Sequence, residues 1–416
     1  MFVIDRVPKK LNEFFRKLEP LFEKRQRPHF SSLVLAFALA HGRRNIAHMN
    51  LFLEDRRLRQ RRQDFLVESP WDGARVVSTV ARTILESMNP REGELLEVLL
   101  DGSHTAKRGK TMEGAHRYFD PVTKSYQFGH AFLFCILRFR GVVIPWAIQP
   151  WLPRAFCRTD RAKQLGVRFK TTNQIAADLL REFPEDIARR FKVRALFDSA
   201  FLNEEVVGAC RGRGFHFISV AKSNRVFFPR NRVSKRRVSS YGPGVLRTEG
   251  KTVQIQGARG KARFRTAVRD GYMNGVGEVR VVFSKRESDG SFVSLVTDEL
   301  DLEAREVILG YKDRWAIEVT LKNLKQCLGL GHYQTTRYEG FIHHLHLCLI
   351  SFQLLITLGI GSAEKSPDGA ALEVDSIWTL QDRLRSIVAS DHMGRLRRGK
   401  NTARVLARLK ALLVAA

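Results

Sequence analysis

The stretch YKDRWAIEVTLKNLK, residues 311–325, mixes acidic, basic and aromatic side chains in an order that suits a helix. At 100° per residue, Tyr311, Arg314, Glu318 and Lys325 fall within an arc of about 60°. One face of the predicted helix therefore presents an acid, two cations and a phenol. Taken alone, a helical glutamate among cations is usually a surface salt bridge, so the rest of the chain must decide what this face does.

Two aspartates elsewhere occupy equivalent places. Asp101 follows the apolar run LLEVLL, and Asp198 follows VRALF. A carboxylate at the end of a strand is held rigidly by the sheet, although for either aspartate taken singly a turn or helix cap is the preferred interpretation. Together with Glu318, these residues would supply three carboxylates, the oxygen ligands that Mg²⁺ and Mn²⁺ prefer. Two such ions about 4 Å apart can cleave a phosphodiester.

The composition points to a polyanionic partner. The chain of 416 residues carries 71 Lys and Arg against 43 Asp and Glu, a net charge of +28. Such a field attracts nucleic acid, although ribosomal, chromatin and membrane-surface proteins share it. The charge therefore predicts a class of partner and leaves the activity open.

Several features predict a soluble intracellular protein with no membrane span. Five widely spaced cysteines suit a reducing compartment better than a disulfide framework. The N-terminus lacks a long apolar signal segment, and FSSLVLAFALAHG is too short to cross a bilayer. The longest apolar stretch, FIHHLHLCLISFQLLITLGIG, contains three histidines and a glutamine, which favours a buried helix. His343, His344, His346 and Cys348 lack a second ligand pair at zinc spacing, so helix packing is the preferred interpretation.

Residues 1–90 are predicted to form a helical, DNA-binding domain. Ser69, Pro70 and Asp72 resemble a helix N-terminus, and the helix should run through WDGARVVSTVARTILESM. The basic segment RNIAHMNLFLEDRRLRQRRQDFL follows an apolar helix and a Gly-Arg-Arg turn. This pattern is compatible with a helix-turn-helix DNA reader, and an ordinary bundle with a basic face is the alternative.

The central region alternates strands with helices, which predicts an α/β core in two parts, residues 91–221 and 284–360. The runs HAFLFCILRF and VVIPWAIQPW, separated by Arg140 and Gly141, predict a β-hairpin.

Residues 222–283 are predicted to be a basic, β-rich insertion in that core. Between Arg225 and Gly271 there are 13 Lys or Arg and two acids. A disordered basic loop is the alternative for the segment PRNRVSKRRVSSYGPG at its centre. Residues 361–416 should form a basic C-terminal region in which HMGRLRRGKNTARVLARLKALL is an amphipathic helix.

The spacing of Tyr311, Arg314, Glu318 and Lys325 resembles the Y-R-E-K signature of DDE-type bacterial insertion-sequence transposases, insertion-sequence family four and its relatives. LLDGSHTAKRGKTMEG is similar to the segment around the first catalytic aspartate of that family, and ALFDSAF to the segment around the second. The resemblance extends over residues 95–355 and includes a β-rich insertion between the second aspartate and the glutamate.

The resemblance implies a ribonuclease-H-like catalytic core with that insertion, within an α/β fold that also has a helical N-terminal domain and a basic helical tail. It implies that Asp101, Asp198 and Glu318 are catalytic and ligate two Mg²⁺ or Mn²⁺ ions.

The same resemblance assigns Tyr311, Arg314 and Lys325 to phosphates of the transposon end. Trp315 stands where some relatives stack an aromatic ring on an end base, with a core tryptophan as the alternative. Residues 285–310 contain no tryptophan, which departs from relatives that excise through a DNA hairpin.

His104, Lys107 and Arg108 follow the first aspartate in a basic segment. Contact with DNA phosphate is preferred for Lys107 and Arg108 over a merely solvated loop.

The expected function is cut-and-paste transposition: metal-dependent cleavage at the ends of an insertion sequence, then attack of the 3′-hydroxyl on target DNA. The expected partners are double-stranded DNA with terminal inverted repeats, target DNA and a second copy of the chain in a homodimer. The expected location is the cytoplasm, at the nucleoid of a bacterium. The alternatives are a metal-dependent nuclease without strand transfer and a catalytically silent DNA-binding derivative.

Overall fold

The structure is a computed structural model that describes residues 4, 6–109, 111–120, 123–230, 234–257, 260–361, 364–365 and 372–397. The helices are α1 (Asn12–Leu18), α2 (Arg27–Leu39), α3 (Ile46–Met49), α4 (Arg59–Val67), α5 (Gly73–Ser87), α6 (Arg154–Cys157), α7 (Asp160–Gln164), α8 (Thr172–Arg181), α9 (Glu185–Arg190), α10 (Glu204–Gly212), α11 (Val238–Glu249), α12 (Ala304–Asp313), α13 (Trp315–Cys327), α14 (Tyr338–Ile360) and α15 (Ile377–Arg397). Short 3₁₀ turns lie at Lys9–Leu11, Glu19–Leu21, Asn50–Phe52 and Arg56–Leu58.

The strands are β1 (Leu95–Ala106), β2 (His116–Asp120), β3 (Ser125–Phe139), β4 (Val142–Trp151), β5 (Lys192–Phe197), β6 (His216–Val220), β7 (Val226–Pro229), β8 (Arg236–Arg237), β9 (Lys251–Gly257), β10 (Gly260–Met273), β11 (Gly277–Arg286), β12 (Phe292–Thr297), β13 (Glu364–Lys365) and β14 (Leu372–Glu373). All except β13 and β14 belong to one mixed sheet of twelve strands.

One half of the sheet has the strand order β4-β3-β1-β5-β6. β3 is antiparallel to β1 and to β4, whereas β1, β5 and β6 are parallel to one another. This order, with helices between the parallel strands, is consistent with a ribonuclease-H-like fold, so the predicted mixed α/β class is confirmed.

Residues 96–100 of β1 and 193–197 of β5 are buried without interruption, because their side chains face other elements on both sides of the sheet. The hairpin predicted between β3 and β4 is present. Arg140 and Gly141 both have positive φ values, 48° and 83°, as the two-residue turn between twisted strands requires.

The predicted insertion is an extension of the same sheet. β12 pairs with β6, and β11, β10, β7 and β8 follow in that order. The predicted upper boundary at residue 283 falls inside β11. A disordered loop was the alternative for the segment PRNRVSKRRVSSYGPG. Residues 231–233 of this segment lie outside the described residues, and its later part belongs to α11, Val238–Glu249.

The N-terminal helices are present, with corrected ends. α5 begins at Gly73 with Asp72 as its cap, whose carboxylate accepts the Arg75 N–H at 2.9 Å, so Ser69 and Pro70 lie outside the helix. The basic segment is broken into α3, two 3₁₀ turns and α4 instead of forming one helix. The buried Arg62 guanidinium in α4 donates to the Asn50 side chain. This broken segment does not provide the continuous second helix expected of a helix-turn-helix reader.

α14 is the central helix of the apolar core, and α2, α4, α5 and α15 pack around it. It is long and apolar enough to cross a membrane, but 83% of that window is buried within the protein, as in the core helix predicted for this stretch. Its His343 bonds the carbonyl oxygens of Leu66 and Trp71, and its His344 bonds the carbonyl oxygen of Gly329. These contacts confirm the packing interpretation.

The C-terminal region contains a helix that begins earlier than predicted. α15 starts at Ile377, before the predicted helix beginning at His392. The rest of that predicted helix, residues 398–413, lies outside the described residues.

Candidate active site

The two strand-end aspartates lie side by side. Leu99 of β1 is paired with Leu196 of β5 in parallel register, and the same register two residues further along places Asp198 beside Asp101. Neighbouring strands are about 4.8 Å apart. The pairing of β1 with β5 therefore brings together two acids that are far apart in the sequence.

Local backbone contacts orient both carboxylates. Oδ1 of Asp101 accepts the Gly102 N–H at 2.8 Å, and Oδ1 of Asp198 accepts the Ala200 N–H at 2.8 Å. The turn role foreseen as an alternative is thus present at Asp198, where it fixes the side chain at the end of the strand. The second carboxylate oxygen of Asp101, Oδ2, faces the Arg314 guanidinium at 3.5 Å.

The third acid comes from a helix that is interrupted, whereas the sequence predicted a continuous helix through residues 311–325. α12 ends at Asp313 and α13 begins at Trp315, with Arg314 between them. The Arg314 N–H bonds Tyr311 O, and the Ile317 N–H bonds Arg314 O, both at 3.1 Å and both over three residues. The chain therefore tightens for one turn at the arginine. Arg314 keeps helical dihedral angles, φ −54° and ψ −30°, so the two helices remain joined end to end.

Arg314 links the helical acid to the first aspartate. Its guanidinium is 2.5 Å from Oε1 of Glu318 and 3.5 Å from Oδ2 of Asp101. It also lies 5.5 Å from the centre of the Tyr311 ring. Since α13 also packs against β1, the face predicted from the helical spacing does turn towards the strand that carries Asp101.

Asp101 is within electrostatic reach of the other two acids. Burial, together with the charges of Asp198 and Glu318, raises the pKa of Asp101 to about 6 against the opposing attraction of Arg314. Burial lowers the pKa of Lys325, which is attracted to Asp120 and Asp101. Carboxylates that repel one another favour a positive charge between them, and in the structure Arg314 supplies that charge to Asp101 and Glu318.

A buried ion-pair chain beneath the site supports the junction between α12 and α13. Arg138 of β3 lies 2.5 Å from Glu97 of β1 and 3.0 Å from Asp313, the last residue of α12. Burial raises the pKa of Glu97, and the positive charge of Arg138 opposes the rise. Arg138 thereby ties the residue before Arg314 to the central sheet. This contact was not predicted from the sequence. The glutamate inside the apolar run LLEVLL did indicate that a cation elsewhere in the chain must neutralise its buried charge.

A family model described as DDE superfamily endonuclease matches residues 13–274, more than half of the chain. The chain belongs to the DDE superfamily endonucleases. Membership implies an enzyme of transposase or nuclease type that acts on DNA. The match includes Asp101 and Asp198 and ends before α12 and α13, so the Y-R-E-K spacing lies beyond it. No curated protein is significantly similar to the chain.

DDE endonucleases typically use divalent metal ions, and the chemistry of the donors here fits such an ion. Asp101, Asp198 and Glu318 offer only carboxylate oxygens, the donors that Mg²⁺ and Mn²⁺ prefer. Among the described residues, no three His, Cys, Asp or Glu side chains are already gathered closely enough to hold a metal. Arg314 lies between two of the acids and supplies positive charge there.

The other predicted DNA contacts divide into exposed and internal residues. Trp315 is 61% exposed, so the alternative of a core tryptophan is wrong, and Arg108 is also exposed. The predicted contact of Lys107 with DNA phosphate is corrected by the structure. The Lys107 ammonium donates to Gly331 O at 2.6 Å and to Tyr333 O at 2.8 Å. It also lies 3.2 Å from the centre of the Tyr333 ring. Burial lowers the pKa of Lys107 to about 7, so this lysine is committed to contacts inside the protein.

Proposed function

We propose that the chain is a DNA transposase that cleaves insertion-sequence ends and transfers the 3′-hydroxyl strand to target DNA. The observation that carries this proposal is that Asp101 has both Asp198 and Glu318 as charged neighbours. The first two meet through the register of β1 and β5, and the third reaches Asp101 through Arg314. The strongly basic chain, with a net charge of +28, supports DNA as the substrate of these acids.

In this proposal Asp101, Asp198 and Glu318 hold two Mg²⁺ or Mn²⁺ ions. Bound metal supplies the positive charge that activates an attacking oxygen and stabilises the leaving oxygen of a phosphodiester. The contribution of the protein is to fix the acids. Backbone N–H groups orient the two aspartates, and the tie between Arg138 and Asp313 holds the start of α13 against the sheet.

The cations of α12 and α13 are the proposed phosphate contacts. Arg314 balances the acids of the free protein, and its planar guanidinium suits a bidentate contact with phosphate. Lys325 lies on the same face, and the phenol of Tyr311 contributes a hydrogen bond. Trp315 is exposed next to Arg314, so it can stack on an end base without any rearrangement of the core.

The insertion is proposed to hold the DNA that enters the site. It lies beside α12, where the Lys312 ammonium donates to Gln256 O of β9 at 3.2 Å. Exposed cations on β10 and β11 include Lys261 and Lys285. Double-stranded terminal repeats and target DNA are the proposed ligands, bound by a homodimer at the bacterial nucleoid in the cytoplasm.

The decisive experiment incubates the purified chain with the DNA that flanks its own gene. We expect cleavage at the element ends with Mg²⁺ or Mn²⁺, and none in excess chelator. A labelled, pre-cleaved end should then join to a supercoiled plasmid. Cleavage without joining would replace this proposal with a nuclease, and full cleavage in chelator would refute the metal assignment.

Glu318→Gln is the companion variant in that experiment. It keeps the size of the side chain and removes its charge, so the fold and DNA binding should survive while cleavage is lost.

A further inference from the structure

The hairpin formed by β2 and β3 carries exposed aromatic rings that have no role in the proposed site. Phe119 is paired with Tyr126, and Arg117 with Phe128. Directly opposite residues of an antiparallel pair share a face of the sheet. Phe119 is 53% and Tyr126 63% exposed, which is unusual for large rings on a soluble surface. We call Arg117, Phe119 and Tyr126 the aromatic strip.

The three side chains of the aromatic strip are arranged as one unit. The rings of Phe119 and Tyr126 meet edge to face with their centres 5.6 Å apart. The Arg117 guanidinium lies 4.6 Å from the centre of the Tyr126 ring. Lys124, exposed at the end of the hairpin, adds a second cation. The strip therefore combines flat apolar faces with positive charge.

The other face of the same hairpin points to the proposed site. There the Tyr118 ring lies 4.4 Å from the His104 ring, and Asp120 lies 3.5 Å from His104 Nε2. Asp120 also attracts Lys325, as Asp101 does. The hairpin is consequently a wall of the site, and the aromatic strip is the outward side of that wall.

We propose that the aromatic strip stacks the unpaired bases of a DNA strand that passes the proposed cleavage site. Flat rings beside a guanidinium match the π-faces and phosphates of a single strand, and such stacking tolerates any base sequence. A protein partner would need a much larger apolar area than two rings provide. The inference deepens the proposed function and rests on it for the presence of DNA.

The test measures binding by fluorescence anisotropy in chelator, so that no DNA is cleaved. The ligands are a short oligothymidylate, an abasic strand with the same number of phosphates, and a duplex. The wild-type chain should bind oligothymidylate more tightly than the abasic strand, because both carry the same charge and only one can stack. Phe119→Ala and Tyr126→Ala should each weaken oligothymidylate binding at least about five-fold and leave abasic binding unchanged.

Two controls separate stacking from damage to the fold. Phe119→Trp and Tyr126→Phe keep a ring and should keep the preference for oligothymidylate. Trp378→Ala removes a ring that is 57% exposed on α15, away from the hairpin, and should change nothing.

Three results would overturn the inference. The first is equal binding of both single strands by the wild-type chain, and the second is an unchanged preference after both rings are removed. The third is a change in oligomeric state without a change in strand binding, which would assign the strip to a second copy of the chain. Failure of DNA binding, on which the inference rests, has a different signature, since the wild-type chain would then bind neither the duplex nor a single strand.

Discussion

Replacement of Asp101 by Asn should stabilise the folded protein at neutral pH while removing cleavage. The ionised Asp101 carboxylate is buried and repelled by Asp198 and Glu318, and the attraction of Arg314 offsets only part of this cost. Asparagine keeps the shape of the side chain and the oxygen that accepts the Gly102 N–H. A gain in stability with a loss of function is the expected signature of a site that stores electrostatic repulsion for a cationic ligand.

The magnitude follows from the pKa of Asp101, which rises from 3.8 to about 6 on folding. At about 1.36 kcal/mol per pH unit, the ionised carboxylate lowers the free energy of unfolding by at most about 3 kcal/mol. The side chain is 20% exposed, and water screens part of the repulsion, so we expect a gain of about 1–2 kcal/mol. This loss of stability is complete above pH 6, where the Asp101 carboxylate is ionised in both the folded and the unfolded protein. The loss vanishes below pH 3.8, where the carboxyl group is protonated in both.

The assay is chemical denaturation of the wild-type and Asp101→Asn proteins without metal, at pH 8 and at a pH below 4. The variant should be more stable at pH 8, and the difference should shrink towards zero at the lower pH. Glu92→Gln, which removes one acid from an exposed turn, should show no such gain and serves as the control. A variant that is no more stable at pH 8, or equally stabilised at both pH values, would refute the reasoning.

Three further outcomes are expected. At limiting Mg²⁺ the cleavage rate should fall as the pH drops through about 6, because a proton competes with the metal for Asp101; excess Mg²⁺ should restore the rate, and a flat profile from pH 7 to pH 5 at limiting Mg²⁺ would count against Asp101. Trp315→Ala should slow end processing, because the lost stacking on a base contributes about 1–3 kcal/mol. Trp315→Phe should recover part of the rate, and single-turnover kinetics would measure both effects. Replacing Lys261 and Lys285 by Gln should flatten the salt dependence of duplex binding by about one unit of slope per lost phosphate contact, whereas an unchanged slope would remove the insertion from the DNA path.

The elements that sequence reasoning predicted well are those defined by burial. The apolar runs before Asp101 and Asp198 had to be strands inside a sheet, and two strands of that kind commonly pair in parallel when helices connect them. The turn at Arg140 and Gly141 could also be predicted, because a glycine-containing pair between two apolar runs is typical of a hairpin turn with positive φ values. Each of these predictions depends on a short segment whose own composition carries the signal.

Contacts between distant segments could not be predicted in the same way. Lys107 lies in a basic segment and was assigned to DNA, yet the carbonyl oxygens of Gly331 and Tyr333 bind its ammonium. Nothing near Lys107 in the chain announces those partners. The pairing of Arg138 with Asp313 was missed for the same reason. A high density of charged residues in a segment predicts that their side chains are exposed only when no other element packs over that segment.

The side chains that share one face of residues 311–325 were predicted correctly, although the assumption of one continuous helix was wrong. The arc of Tyr311, Arg314, Glu318 and Lys325 assumes one continuous helix, whereas the structure interrupts it at Arg314. The interruption replaces some hydrogen bonds over four residues with bonds over three, but Arg314 keeps helical dihedral angles, so its guanidinium still reaches Glu318 one turn later. The tie from Arg138 to Asp313 acts at this junction. It therefore anchors the start of α13 to the sheet that carries Asp101, directly before the residue whose guanidinium contacts both Asp101 and Glu318.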